Sequence, residues 1–335
     1  MPMKENEKKF GKVMLKIGIV MLIFAVLFDV ISVIYTILYM SLPMALDEVA
    51  AEIVLQLVYG FLYLAAFMIP AFILCAMCGK DIISRPLERK IPVNSAVYIF
   101  AGITLITAMA YINSMLVSLL GLPSGSIEDS GVSADNYTFI LAFITTAIVP
   151  AICEEFLFRG AIMHSLLKFG KVPAILISAV MFGLMHTNFA QFFYATAAGI
   201  FLGWVACETG SLYCGMLIHF SQNFFSVFQS VLFDRMKDPT LSIVYYALMC
   251  LIFAAGIPCI IYLAVKFSRD LRSSRRKRLD DGIYGVSDDC TGALALPAGR
   301  ATRLFFSPTV IIFIVVAVFM AFSRVLTAWL TVAVS

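Results

Sequence analysis

Charge is scarce in this chain. Of its 335 residues only 13% are Asp, Glu, Lys or Arg, whereas 61% are hydrophobic and the mean hydropathy is +0.97. A soluble globular protein is roughly half apolar and about a quarter charged. A water-facing surface cannot be built from what remains, so the composition calls for lipid as solvent. Trp occurs only 2 times and His 3 times, against 29 Phe and 17 Met, as suits helices that face acyl chains and one another. The net charge of +3 gives no sign of nucleic-acid binding. The 8 cysteines are scattered. Cys75 and Cys78 form a lone C-x-x-C with no second pair at zinc-finger spacing, which excludes that metal module, and no disulfide framework is indicated. No small-residue cleavage site closes the first apolar run, Ile17 to Met40, so it reads as an uncleaved helix rather than a signal peptide.

A membrane-spanning helix needs about 20 apolar residues. Nine stretches qualify or nearly so: 14–41, 50–78, 94–121, 137–168, 172–188, 190–207, 211–233, 240–267 and 306–333. The expected fold is therefore all-α, a polytopic transmembrane bundle of about nine spans, with an eight-helix core plus one C-terminal helix. It divides into three N-terminal helices (1–136), a central unit (137–235), an eighth helix (236–267), a basic linker (268–304) and a ninth helix (305–335). Gly121-Leu122-Pro123 and Lys237-Asp238-Pro239 carry turn chemistry between spans. Basic residues mark every second connection: Lys4, Lys8, Lys9 and Lys12, then Lys80, Arg85, Arg89 and Lys90, then Lys168 and Lys171, and finally Arg269 to Arg278. Acidic ones (Asp47, Glu48, Glu128, Asp129, Asp135) mark the others. The positive-inside rule then places the amino terminus in the cytosol and the carboxyl terminus outside the cell membrane. The run from Arg269 to Arg278 is either a plain anchor or a holder of anionic lipid headgroups.

Ionisable groups within membrane helices mark function or a specific pairing. All three histidines fall between residues 164 and 219, beside Glu154, Glu155, Arg159 and Asn223. Glu155 and Arg159 stand four apart and face each other on a helix as an ion pair. Glu154, about 100° around, has no partner on its own helix; an unpaired buried carboxylate is poised to accept a proton. Glu154 lies sixteen residues before Gly170 and His186 sixteen after it, so two antiparallel helices would carry both about 24 Å from the turn. Gly183, one turn before His186, removes bulk where helices approach. His219 and Asn223, again four apart, share a face and can donate two hydrogen bonds to a developing oxyanion. The Ala195, Gly199, Gly203 stripe is read as packing. Asp29 and Asn113 are each expected to make one interhelical hydrogen bond. His164 reads as peripheral, and Arg324 as reaching an interface or pairing internally.

The set Glu154-Glu155 with Arg159, Phe182 with His186, and His219 with Asn223 resembles the CPBP family, the CAAX-protease and bacteriocin-processing membrane proteins. This group is also called the Abi family and includes Rce1-type prenyl-protein endopeptidases. The likeness covers roughly residues 137 to 230. It implies a proteolytic centre inside the membrane. Glu154 would activate water with help from His186, His219 and Asn223 would stabilise the oxyanion, and Glu155 with Arg159 would brace the site. Members are described both as metalloproteases and as metal-free glutamate proteases; Glu154, His186 and His219 would form the zinc set if a divalent metal serves. The H-E-x-x-H helix of zincins is absent, as are the G-x-S-G and G-x-G-D motifs of other intramembrane proteases.

The expected function is an intramembrane endopeptidase acting on a peptide or protein at the membrane. Its site is expected to open toward the cytosol or the inner leaflet, on a fourth helix about 46 Å long. The alternatives are a non-catalytic bacteriocin-immunity or scaffold protein on the same fold, and a proton-relaying transporter.

Overall fold

The computed structural model describes residues 2–79, 91–92, 94–120, 136–231, 239–280 and 305–334. The basic connection 80–90, the turn at Gly121-Pro123, the residue pair Lys237-Asp238 and the linker 281–304 lie outside the described residues. So does the side chain of Arg324. All regular structure among the described residues is helical. In chain order the helices are α1 (Pro2–Ser41), α2 (Glu48–Cys78), α3 (Ser95–Leu119), α4 (136–169), α5 (Lys171–Met185), α6 (Phe189–Thr209), α7 (Leu212–Val231), α8 (Pro239–Asp280) and α9 (Pro308–Val334). Each of the nine expected stretches holds one of them. Six are long and apolar enough to cross a membrane, and two further apolar segments, Lys171–Met185 and Pro308–Ser323, are shorter.

Several boundaries differ from expectation for identifiable reasons. α1 begins twelve residues early because its charged start helps itself: Lys9 pairs with Glu5 one turn back at 2.8 Å. α8 does not end at 267 but continues to Asp280, since Arg, Lys, Leu and Asp carry a helix into water at little cost. At 42 residues it is about 63 Å long, twice the hydrocarbon thickness of about 30 Å. α5 is shorter than expected. Its 15 residues span only about 22 Å, so it stops within the depth of a bilayer. There the chain turns through Thr187, whose φ is 46°, and Asn188 caps α6 by accepting from Ala190 N at 2.9 Å.

α4 is not a uniform α-helix. Asn136–Phe143 and Val149–Glu155 are α-helical, while Ile144–Ile148 and Phe156–Met163 are wound wider, with i→i+5 hydrogen bonds. Pro150 explains the first wide turn, because it brings no N–H to the carbonyl one turn before it. Within the second, Phe158 O accepts from Ser178 Oγ of α5 at 2.8 Å, so a carbonyl loosened by the wide turn still finds a donor.

Packing gathers around two large centres and a small one at Phe225, Tyr245 and Met249. One joins α1, α2, α4, α5 and α9, with Phe10, Phe67, Phe158, Phe169 and Phe313 buried in it. The other joins α3, α6, α7 and α8 around Tyr98, Leu202, Val205 and Ile218. α9 lies against α1, where Thr309 Oγ1 donates to Leu15 O at 3.1 Å, and its Val310 and Phe313 are part of the first centre. Asp29 is exposed, Asn113 half-buried, and neither makes a side-chain hydrogen bond among the described residues. The interhelical bonds expected of them are not formed among the described residues.

Gly183 permits a close helix contact, but with α6 rather than α4. A Cβ there would stand 2.0 Å from Thr196 Oγ1 and 2.9 Å from Phe192 O. Gly183→Ala is expected to lower stability by about 1–3 kcal/mol, the usual cost of overpacking. Thermal or denaturant unfolding of the detergent-solubilised protein reads this; an unchanged midpoint would mean that α5 and α6 are not in contact at this level.

Candidate active site

α4 is part of the first packing centre and presents adjacent carboxylates to different neighbours. Glu154 turns to α2 and Glu155 to α7, as the 100° step between consecutive residues requires. Both are buried, 4% and 0% exposed. Glu155 Oε1 accepts from Arg159 Nη1 at 2.7 Å, and both side chains of that pair are fully enclosed. Arg159 Nη2 also donates to Gly199 O of α6 at 3.2 Å, and its guanidinium carbon lies 4.4 Å from the centre of the Phe182 ring. The small-residue stripe of α6 is therefore more than packing: its bare backbone supplies an acceptor to the arginine.

His219 of α7 reaches both carboxylates. Its Nδ1 lies 3.1 Å from Glu155 Oε1, and its Nε2 lies 3.8 Å from Glu154 Oε2. An ionised carboxylate only accepts, so Nδ1 carries the proton toward Glu155. Gly215, one turn earlier on α7, leaves room for this approach: a Cβ there would stand 2.9 Å from Glu155 Oε2. His186 closes the carboxyl end of α5, and its Nδ1 lies 2.9 Å from Phe182 O. A carbonyl also only accepts, so Nδ1 donates and Nε2 of the neutral ring is left with its lone pair. Glu154, His219 and Arg159 are among the charged or titratable groups within electrostatic reach of His186.

Phe182 is the hub of this arrangement. Its ring is edge-on to Phe158 (5.2 Å), His186 (5.1 Å) and His219 (5.8 Å) as well as under Arg159. Asn223 is half-buried one turn beyond His219 and makes no side-chain hydrogen bond among the described residues. The structure thus gathers Glu154, Glu155, Arg159 and His219 directly, with His186 beside them across Phe182. His164 is half-buried farther along α4.

Sequence reasoning missed Tyr63. Its hydroxyl donates to Glu154 Oε1 at 2.5 Å from α2, so the carboxylate that lacks a partner on its own helix has one across the helix interface. The signal was present in the spacing of Gln56, Tyr59 and Tyr63, which puts three hydrogen-bonding side chains on one face of an apolar helix. Glu154 Oε2, Glu155 Oε2 and Arg159 Nε remain without hydrogen-bond partners among the described residues.

The candidate zinc set is tested by this geometry. His186 and His219 each have a ring nitrogen oriented by a carbonyl or carboxylate, as metal-bound histidines do. Glu154 and His219 supply two donor atoms, but among the described residues no three His, Cys, Asp or Glu side chains form a group that could hold a metal ion. The three-residue set is not assembled here, and no step below passes through a metal.

Comparison with known proteins agrees with this stretch of chain. The family model described as type II CAAX prenyl endopeptidase, Rce1-like, matches residues 136–225, which hold every residue of the cluster except Tyr63. Over this stretch the chain is similar to the CAAX-protease-like family that the sequence motifs resemble. No curated protein and no solved structure gives a match. The matched stretch runs from the start of α4 into α7, and α1–α3, α8 and α9 lie outside it.

The buried pair makes a quantitative prediction. Arg159→Ala leaves the buried Glu155 carboxylate with His219 as its remaining partner and is expected to cost about 3–5 kcal/mol of stability. Arg159→Met combined with Glu155→Gln removes both charges and is expected to recover a large part of that loss. Unfolding midpoints of the two variants decide this; equal destabilisation would contradict it.

Proposed function

We propose that this chain is an intramembrane endopeptidase that hydrolyses peptide bonds of membrane-associated proteins or peptides. The observation that carries this reading is the unused face of Glu154. Its Oε1 is held by Tyr63, while its buried Oε2, with no hydrogen-bond partner among the described residues, looks toward His219 Nε2 across 3.8 Å. That gap is too long for a direct hydrogen bond and suits one bridging water, which can lie about 2.8 Å from each atom.

Glu154 takes a proton from this water as its oxygen attacks the scissile carbonyl carbon, and His186 assists through Nε2. The carbonyl oxygen becomes an oxyanion, met by the Asn223 amide and by His219, which as an imidazolium held at Nδ1 by Glu155 donates from Nε2, both on the same face of α7. The proton held by Glu154 then passes to the leaving amine as the C–N bond breaks, yielding one carboxyl and one amino terminus. Glu155 and Arg159 touch no reacting atom in this scheme. They fix His219, and with Phe182 they hold α4, α5, α6 and α7 in register. The match to a CAAX endopeptidase family supports hydrolysis of a peptide bond; it does not require a prenylated substrate of this chain.

The alternating basic connections support a cytosolic amino terminus and an extracytoplasmic carboxyl terminus across nine spans. The exposed carboxyl-terminal part of α8, with Arg269 and Arg272, is suited to anionic headgroups of the cytosolic leaflet.

Glu154→Gln, nearly isosteric, is expected to lower peptide hydrolysis in proteoliposomes by at least about 100-fold with an unchanged unfolding midpoint. Full activity in a folded variant would defeat the enzymatic reading. In that case a peptide-immunity phenotype that survives His219→Ala would identify a non-catalytic scaffold. Tyr63→Phe is expected to reduce kcat about tenfold or more, because a hydrogen bond to a charged group contributes about 1.5–3 kcal/mol, with little change in KM.

A further inference from the structure

α7 carries more amide groups than the proposed chemistry uses. Gln222 stands beside Asn223 and one turn beyond His219 on this helix. Its Oε1 accepts from Thr107 Oγ1 of α3 at 3.1 Å, and Thr107 is buried. Ile218, one turn earlier on the same face, fills the space that Gly102 of α3 leaves, where a Cβ would stand 2.7 Å from Ile218 Cδ1. α3 therefore lies close against this face of α7 and holds the Gln222 amide by its oxygen.

The nitrogen of that amide is unused. Gln222 Nε2 makes no hydrogen bond among the described residues, and neither does the Asn223 amide. Both side chains are half-buried, and neither contributes to the enclosed polar atoms that lack a partner. Ser221, by contrast, satisfies its hydroxyl on Leu217 O at 2.8 Å. Two accessible amides among Phe220, Phe224 and Phe225 are costly in a bundle solvated by lipid. Helix geometry sets where they face. Relative to His219, Asn223 is turned by about 40° one way and Gln222 by about 60° the other. In height Gln222 falls between them, about 4.5 Å along the axis from His219 and about 1.5 Å from Asn223. It thus stands level with the pair assigned to the oxyanion, on the α3 side. An extended peptide presents a backbone carbonyl about every 3.4 Å, on alternating edges, and away from water each carbonyl needs a donor.

From these observations we infer that Gln222 binds the substrate backbone: its Nε2 donates to a carbonyl next to the scissile bond. Thr107 is its positioning residue and holds the amide by the oxygen. The inference rests on the proposed peptidase reading and deepens it, because it says what the site recognises. A carbonyl is common to every residue, so this contact reads an extended chain irrespective of its side chains. It disfavours a helical segment, whose carbonyls are already bonded within the helix. The contact is made before and during the reaction alike, so it supplies binding and leaves the chemical step unchanged. Gln229 provides the contrast. Its Oε1 is held likewise, by the Tyr245 hydroxyl at 3.2 Å, and that hydroxyl shares a second hydrogen bond with Tyr111 at 2.8 Å. Gln229 stands about 15 Å along the axis from His219, beyond a short peptide seated at the oxyanion pair.

Binding of a capped, fluorescent hexapeptide to the full-length protein in lipid nanodiscs tests this, in a Glu154→Gln background to suppress hydrolysis. Such a peptide extends only about 10 Å to either side of its central amide, short of Gln229. Gln222→Met, which keeps the side-chain length, is expected to weaken binding about 3- to 10-fold, the worth of one hydrogen bond. Thr107→Val is expected to weaken it in the same direction. Gln229→Met, which removes an equivalent interhelical bond, is expected to leave it within about twofold. Replacing each flanking amide of the peptide in turn by an alkene of the same shape is expected to reveal one position where the loss vanishes in Gln222→Met. Independent losses at every position, equal weakening by Gln222→Met and Gln229→Met, or no measurable binding to the Glu154→Gln protein would each overturn the inference. With Glu154 intact, Gln222→Met is expected to raise KM by the same factor at nearly constant kcat. Full activity of Glu154→Gln would defeat the peptidase reading and leave the dependence of KM on Gln222 intact, so the two failures are separable.

Discussion

A fully buried ion pair holds the centre of this protein together. Arg159 and Glu155 sit in a medium where an isolated charge is prohibitively costly, so neither tolerates the other's removal, and both draw in further partners. Arg159 takes the Gly199 carbonyl of α6 and the Phe182 ring of α5; Glu155 takes His219 of α7. Four helices are thereby located relative to one another by the need to satisfy two side chains. Helix association inside a bilayer has no hydrophobic driving force of the aqueous kind and depends on packing and polar contacts. The pair supplies that contact at the one level where chemistry is proposed.

The wide turn that carries Arg159 fits the same logic. Loosening the helix from Phe156 to Met163 frees backbone groups, a cost accepted only where neighbouring chains re-satisfy them; Ser178 does so at Phe158. α5 then stops short of a full crossing, which sets His186 at a helix end with its ring fixed by a carbonyl one turn back. Irregular backbone within the membrane occurs here beside the polar cluster, surrounded by protein.

Much of the site was legible without coordinates because helical geometry is predictable. The i, i+4 pairing of Glu155 with Arg159 and the divergence of Glu154 follow from the turn angle alone, and a lone carboxylate in an apolar helix signals itself by its cost. The partner of Glu154 was not legible in this way. Tyr63 lies ninety-one positions away, and tyrosine is common enough in membrane helices to pass as an interfacial anchor. His219 also does more than its spacing suggested. It faces both glutamates, because Gly215 lets α7 approach α4 closely.

What the sequence by itself determined is the solvent and the periodicity: lipid-facing helices, their approximate extents, and the faces on which ionisable groups fall, since burial cost and turn angle are local properties. Tertiary structure decided which of those faces meet. It brought Tyr63 to Glu154, aimed Gly183 at α6 and left Asp29 facing outward. These outcomes depend on how whole helices lean and approach, and that is settled by the summed packing of distant side chains.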